Sequence, residues 1–150
     1  MPCFDSDATV ERIGRCLLDR SLPKAEWTHA AHFAAAFWLL RQPDRDAMRE
    51  LPGLIRAYNE ATGVPNTDTG GYHETITVAS LRAAHAWLAI TPSAPLHRAL
   101  NELLVSKYGR SEWLLAYWSK PVLFSVTARP AGWNRTCGHC RSEGQCGHDT

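Results

Sequence analysis

The sequence lacks a marked excess of charge of either sign, and it lacks a long hydrophobic run. Its 150 residues carry a formal net charge of +1, which argues against nucleic-acid binding as the main role. The longest apolar run, FAAAFWLL, covers only residues 33–40, whereas a membrane-spanning helix needs about 18 or more apolar residues. The composition therefore predicts a globular protein that binds neither nucleic acid nor a membrane.

Sequence signatures of nucleotide chemistry and of secretion are also missing. No P-loop, dinucleotide-binding fingerprint or nucleophile elbow occurs. The N-terminal segment is acidic and has no apolar core like that of a signal peptide. The five cysteines are an odd number, which favours reduced thiols over a disulfide framework. These absences predict a cytoplasmic protein that does not use a nucleotide.

The sequence does contain a series of helical patterns. Apolar residues recur at helical spacing, and segments rich in Pro, Gly and polar residues separate them, which predicts helices over about residues 6–20, 21–41, 43–63, 71–90, 95–107 and 111–118. The second helix is apolar almost all round, so we expect it at the centre of a bundle. The prediction is an all-α, single-domain helical bundle of five or six helices over residues 1–128, with a Cys/His-rich, irregular tail at 129–150.

The stretch EWTHAAH, residues 26–32, places a carboxylate and two imidazoles at the start of this apolar helix. Residues three apart lie on one face of a helix, so Glu26, His29 and His32 would form one ridge. A second polar cluster, NTDTGGYHETIT, covers residues 66–77 and opens the fourth predicted helix. With short connections, the second and fourth helices run parallel and start at the same end of the bundle. We therefore expect His73 and Glu74 to lie near the two histidines of the first cluster.

Three imidazoles and a carboxylate are typical ligands of a divalent transition metal. The leading prediction is that His29, His32 and His73 hold zinc or iron, with an open position for water or a substrate. Glu74 or Glu26 would be the fourth ligand or the acid/base group, and Tyr72 would line the same pocket. The predicted protein is a small metal-dependent enzyme (a hydrolase, lyase or oxygenase) that acts on a small organic metabolite.

Two alternatives remain open at this point. One is a metal-free lyase or cyclase that uses His73 and Glu74 as its acid/base pair. The other is a non-enzymatic interaction module whose tail binds zinc. Four tail residues have the chemistry of a Cys3His zinc set, although their spacing matches no known finger: Cys137, Cys140, Cys146 and His148. The expected partner is a small-molecule substrate, and a homodimer is compatible with the sequence.

Two motifs also resemble a known group of proteins. EWTHAAH, followed by YNEATGVPNTDTGGYHETIT at residues 58–77, resembles a family of short, uncharacterised bacterial proteins. The resemblance covers roughly residues 20–125, and the length of the second motif makes it specific. It implies kinship and no activity. The cysteine-rich tail departs from the endings expected in that family, so the resemblance says nothing about the tail.

Overall fold

The computed structural model of the protein describes residues 3–67 and 71–117. These residues form five α-helices: α1 (Asp7–Leu18), α2 (His29–Leu40), α3 (Ala47–Ala61), α4 (Glu74–Ile90) and α5 (Leu96–Val105). Three short 3-10 turns accompany them, at Lys24–Glu26, Lys107–Gly109 and Trp113–Ala116. The described residues contain no β-strand element. The prediction of an all-α helical bundle is confirmed.

Helix α2 lies at the centre of the bundle, as its composition predicts. Nine of its twelve residues are buried, and the helix packs against each of the other four helices. Alanines allow a close approach of its neighbours. The packing against α1 is especially close, because a Cβ added at Gly14 would lie 2.3 Å from Cε3 of Trp38. The residues at the two ends of α2 therefore have fixed positions relative to the rest of the fold.

The start of α2 differs from the prediction. A 3-10 turn at Lys24–Glu26 precedes it, and α2 itself begins at His29 rather than near residue 21. The cause is Thr28, which has an extended backbone and whose hydroxyl accepts a hydrogen bond from the amide of Ala31 at 3.2 Å. An N-cap of this kind fixes the first residue of the helix directly after it. The expected helical ridge of Glu26, His29 and His32 is therefore wrong, because Glu26 lies outside the helix.

The later elements follow the prediction with shifted bounds. Helix α4 begins at Glu74 rather than near Gly71, because His73 is its N-cap. The predicted sixth helix is replaced, in the part that is described, by the 3-10 turn Trp113–Ala116. Residues 118–128 of the predicted bundle and the whole tail at 129–150 lie outside the described residues. No helix within residues 3–67 and 71–117 is both long enough and apolar enough to cross a membrane.

Candidate functional site

A cavity of about 280 Å³ opens between α2, α3 and α4. This volume is close to the lower limit of ligand pockets, which is about 300 Å³. Most of the lining is apolar, and five of the lining side chains carry a polar group. The apolar residues are Phe33, Ala36, Leu51, Ile55, Ile76 and Leu81, and the polar residues are His29, His32, Thr77, Ser80 and Ser111. An apolar chamber with a few polar groups is typical of a site for a small organic molecule.

The cavity lies where the first turns of α2 and α4 come together. Residues His29 to Ala36 contribute the wall from α2, and Ile76 to Leu81 contribute the wall from α4. The sequence-based expectation that these two helices begin at the same end of the bundle agrees with this arrangement. Both histidines of the EWTHAAH stretch line the cavity.

The ring of His29 is held by a long-range hydrogen bond. Its Nε2 lies 2.8 Å from the backbone carbonyl oxygen of Tyr108. A carbonyl oxygen only accepts, so Nε2 must carry the proton and donate. The edge of the ring meets Phe33, with 5.3 Å between ring centroids. The other nitrogen, Nδ1, has no hydrogen-bond partner among the described residues, so in the neutral ring it offers a lone pair.

The ring of His32 has the opposite arrangement. Its Nδ1 lies 2.7 Å from the carbonyl oxygen of Thr28 and therefore donates. The ring stacks on Trp27 at a centroid distance of 3.8 Å. The pKa of His32 is lowered to about 4, chiefly by burial and to a smaller extent by the neighbouring His29, while the bond to Thr28 acts in the opposite direction. His32 is therefore neutral at pH 7, with its Nε2 lone pair unpartnered within the described part of the chain.

The two backbone carbonyls thus select complementary tautomers. His29 keeps its proton on Nε2 and His32 keeps its proton on Nδ1. Each ring is left with one basic nitrogen, and both rings line the same cavity. A ring that is anchored through one nitrogen presents the other in a fixed orientation, which both metal ligation and proton transfer require.

His73 does not join these two histidines at the cavity. It is the N-cap of α4, and its Nδ1 accepts a hydrogen bond from the amide of Ile76 at 3.3 Å. It is 6% exposed and is absent from the cavity lining. Because its Nδ1 lone pair is used by the helix start, that nitrogen is not available as a metal ligand. The sequence could not distinguish a capping histidine from a ligand, because both stand at the start of a helix.

The two predicted carboxylates are also engaged elsewhere. Glu26 forms an ion pair with Arg12, 3.0 Å between Oε2 and Nη2, and its side chain is 44% exposed. Glu74 forms an ion pair with Arg56 at 3.4 Å and accepts a hydrogen bond from the hydroxyl of Tyr72. Neither carboxylate lines the cavity. Their expected role as a fourth ligand or as the acid/base group beside the histidines has no support in this geometry.

Tyr72 belongs to a separate cluster at the start of α4. The guanidinium of Arg56 lies 4.2 Å from the centroid of the Tyr72 ring. Burial raises the pKa of the Tyr72 hydroxyl, and the hydrogen bond to Glu74 raises it further. The hydroxyl therefore stays protonated at neutral pH and acts as a donor to Glu74. This cluster fixes the entry to α4 and does not line the cavity.

Within residues 3–67 and 71–117, no group of three or more His, Cys, Asp or Glu side chains is placed to hold a metal ion. The predicted set of His29, His32 and His73 is therefore reduced to a pair at the cavity. The tail residues considered for zinc, at positions 137, 140, 146 and 148, lie outside the described residues.

Three hydroxyl groups of the cavity were not predicted as site residues from the sequence. Thr77 and Ser80 lie three residues apart on α4, so they share a face. Helical spacing could have identified this pair once the start of α4 was known. Ser111 follows α5 and reaches the cavity from a distant part of the sequence. No local pattern indicates that contact, because it depends on how the chain folds back after α5.

Comparisons of the chain with protein-family models, with curated proteins and with solved structures found no match. The site must therefore be interpreted from its own chemistry, and the resemblance of the two sequence motifs to a bacterial family stays a prediction.

Proposed function

We propose that the protein is a small enzyme of acid/base chemistry that binds a small organic molecule in the cavity between α2, α3 and α4. His29 Nδ1 and His32 Nε2 are its proton acceptors. The acid/base pair considered in the sequence, His73 and Glu74, is replaced by this pair of histidines. The observation that carries the proposal is the anchoring of both imidazoles by backbone carbonyls, which leaves one basic nitrogen on each ring.

The chemistry follows from the cavity's environment. A molecule held against Phe33, Ile55 and Ile76 is separated from bulk water on that side, and proton transfer then depends on the side chains beside it. A neutral imidazole can take a proton from a bound C–H or O–H group and return it at a later step, as lyase and cyclase reactions need. The hydroxyl of Ser80, which also lines the cavity, would help to orient the substrate. The cytoplasm, predicted from the sequence, remains the proposed compartment.

The presence of a general base in the cavity can be tested with a molecule whose reaction begins with loss of a proton. Nitrobenzisoxazole loses a ring proton to a base, its N–O bond breaks, and the coloured phenolate that forms can be followed by absorbance. We expect the wild-type protein to accelerate this reaction at pH 7 beyond an equal concentration of free imidazole. Loss of a positioned general base typically costs about 100-fold or more, so at least one of His29→Gln and His32→Asn should lower the rate by about this factor.

The variants are chosen to keep the anchoring bonds. The side-chain amide of Gln can replace the donor Nε2 of His29, and that of Asn can replace the donor Nδ1 of His32, while neither amide is basic. The control is His85→Asn, because His85 is exposed on α4 and away from the cavity. Wild-type rates in both cavity variants, or a wild-type rate no higher than that of free imidazole, would refute the proposal.

The metal-dependent enzyme is the second candidate, and a specific observation favours it. Metal-binding histidines usually donate their other ring N–H to a carbonyl or carboxylate, and both cavity histidines do so. Elemental analysis of protein purified without chelators tests this candidate. About one equivalent of zinc or iron is expected, lost in His29→Ala and His32→Ala and kept in His85→Ala. Wild-type protein without bound metal would refute it and leave the metal-free enzyme.

A further inference from the structure

The lining of the cavity contains no side chain that carries a fixed charge. Among the described residues, no Lys, Arg, Asp or Glu contributes to it. Two carboxylates close to it in the sequence are paired with arginines away from the cavity, Glu26 with Arg12 and Glu74 with Arg56. A third, Glu112, accepts a hydrogen bond from Ser111 at 3.1 Å and does not itself line the cavity. A charged ligand would lose its hydration here without gaining an opposite charge, and unpaired burial of charge is unfavourable. The cavity is therefore suited to uncharged molecules.

The polar groups of the cavity favour a ligand that donates hydrogen bonds. The N–H of each ring that faces a backbone carbonyl is already used, at Nε2 of His29 and Nδ1 of His32. The second nitrogen of each ring, which has no partner within the described residues, can only accept when the ring carries a single proton. A ligand without a donor would leave both nitrogens without a partner when it displaces water, and an unsatisfied buried acceptor is costly. The hydroxyl of Ser111 already donates to Glu112 and is left as a further acceptor toward the cavity, which adds to this preference. The hydroxyl of Ser80 can either donate or accept, so it adapts to the ligand.

The size of the cavity limits the ligand's body. An engineered cavity of about 150 Å³ in another protein admits benzene, so about 280 Å³ accommodates one ring with a short substituent. Phe33, Leu51 and Ile55 provide an apolar surface for that ring, and they stand on two different helices, α2 and α3. Large polar molecules such as sugars or nucleotides would leave many of their own polar groups unpaired against this surface.

We propose that the cavity selects an uncharged, hydroxyl-bearing molecule with a compact apolar body, an alcohol or a phenol, whose hydroxyl group donates a hydrogen bond to the histidine pair. This inference rests on the proposed function, because it names the class of molecule that the same cavity takes. The imidazoles, and the absence of charge in the described lining, determine which ligands bind. The apolar walls provide most of the affinity.

The test compares four probes of one size at pH 7: toluene, benzyl alcohol, benzoate and benzylamine. They share a ring and differ in the substituent, which is apolar, a neutral donor, an anion or a cation. Each is titrated into the isotope-labelled full chain in EDTA, and the amide signals of α2 and α4 give the dissociation constant. We expect benzyl alcohol to bind about tenfold more tightly than toluene and about 100-fold more tightly than either ion. His32→Asn should reduce the preference over toluene, and His85→Asn should leave it unchanged.

Each other outcome has a distinct meaning. Toluene binding as tightly as benzyl alcohol would overturn the inference and leave the cavity as a ligand site without a donor requirement. Tightest binding of benzoate would also overturn it, because the histidine pair would then act as a cation. If none of the probes shifts the signals of α2 and α4, the proposed function fails as well, because the cavity then does not bind small organic molecules.

Discussion

The low pKa of His32 predicts a specific loss of stability in mild acid. The unfolded chain protonates this side chain near pH 6.5, whereas the folded protein does so near pH 4 because the ring is buried. Between these two values the unfolded state binds more protons, so the free energy of unfolding falls as the pH is lowered. The contribution of His32 is fully present above about pH 6.5 and is lost as the pH falls from there to about 4.

The magnitude follows from the size of the shift. A difference between pKa values of 6.5 and about 4 corresponds to about 3.4 kcal/mol at 1.36 kcal/mol per unit. Although protein atoms surround the ring, the residue as a whole keeps some exposure to solvent, and screening by that solvent reduces the value. We therefore expect a loss of about 2–3 kcal/mol in the free energy of unfolding between pH 7 and pH 4 that is due to His32 alone.

The assay is urea unfolding at several pH values, carried out in EDTA on the wild type and on His32→Asn. Asn keeps a donor for the carbonyl of Thr28 and does not titrate, so the difference between the two proteins isolates the titration of His32. His29 is the neighbouring histidine that also acts on this ring, and it is present in both proteins. The wild type should lose about 2–3 kcal/mol more than the variant between pH 7 and pH 4. Parallel stability curves for the two proteins would refute the buried, neutral state of His32.

Two further predictions concern the bundle that carries the site. Gly14→Ala should lower the free energy of unfolding by about 1–3 kcal/mol, because the new Cβ would lie 2.3 Å from Trp38. Gly53→Ala in α3 should raise the free energy of unfolding by about 0.5–1 kcal/mol, because its new Cβ meets nothing within 4 Å. Equal stability of the two variants in calorimetry would contradict this prediction. Tyr58→Phe should lower the free energy of unfolding by about 1–3 kcal/mol, because the buried carbonyl of Leu22 loses the hydroxyl that donates to it at 2.9 Å. An unchanged midpoint in urea unfolding would show that this hydrogen bond does not stabilise the fold.

The central helix and the histidine pair were predictable because each depends on local sequence. FAAAFWLL is apolar on every face, and no position in a small bundle other than the centre can bury such a helix. His29 and His32 are three residues apart, so any helix that contains both places them on one side. These two facts were sufficient to predict an imidazole pair at one end of a bundle.

Competition between local hydrogen bonds made the rest of the site difficult to predict. The pattern EWTHAAH is compatible with a helix that starts before Glu26 or after it, and the hydroxyl of Thr28 decides between them by capping at Ala31. His73 was a plausible ligand until its Nδ1 was found to cap α4. Both ambiguities have the same cause, since helix starts attract the side chains that can also act as ligands or bases.

The hydrogen bond between His29 and Tyr108 joins positions that are 79 residues apart, and this separation has a consequence for how the site is formed during biosynthesis. Until Tyr108 has been synthesised, its carbonyl cannot hold the ring of His29, and the proton of the neutral ring can move between Nδ1 and Nε2. The first histidine of the pair thus becomes a defined acceptor only after α5 has formed and the chain has folded back over α2. A fixed orientation of the His29 ring therefore requires that the long-range folding of the polypeptide is complete.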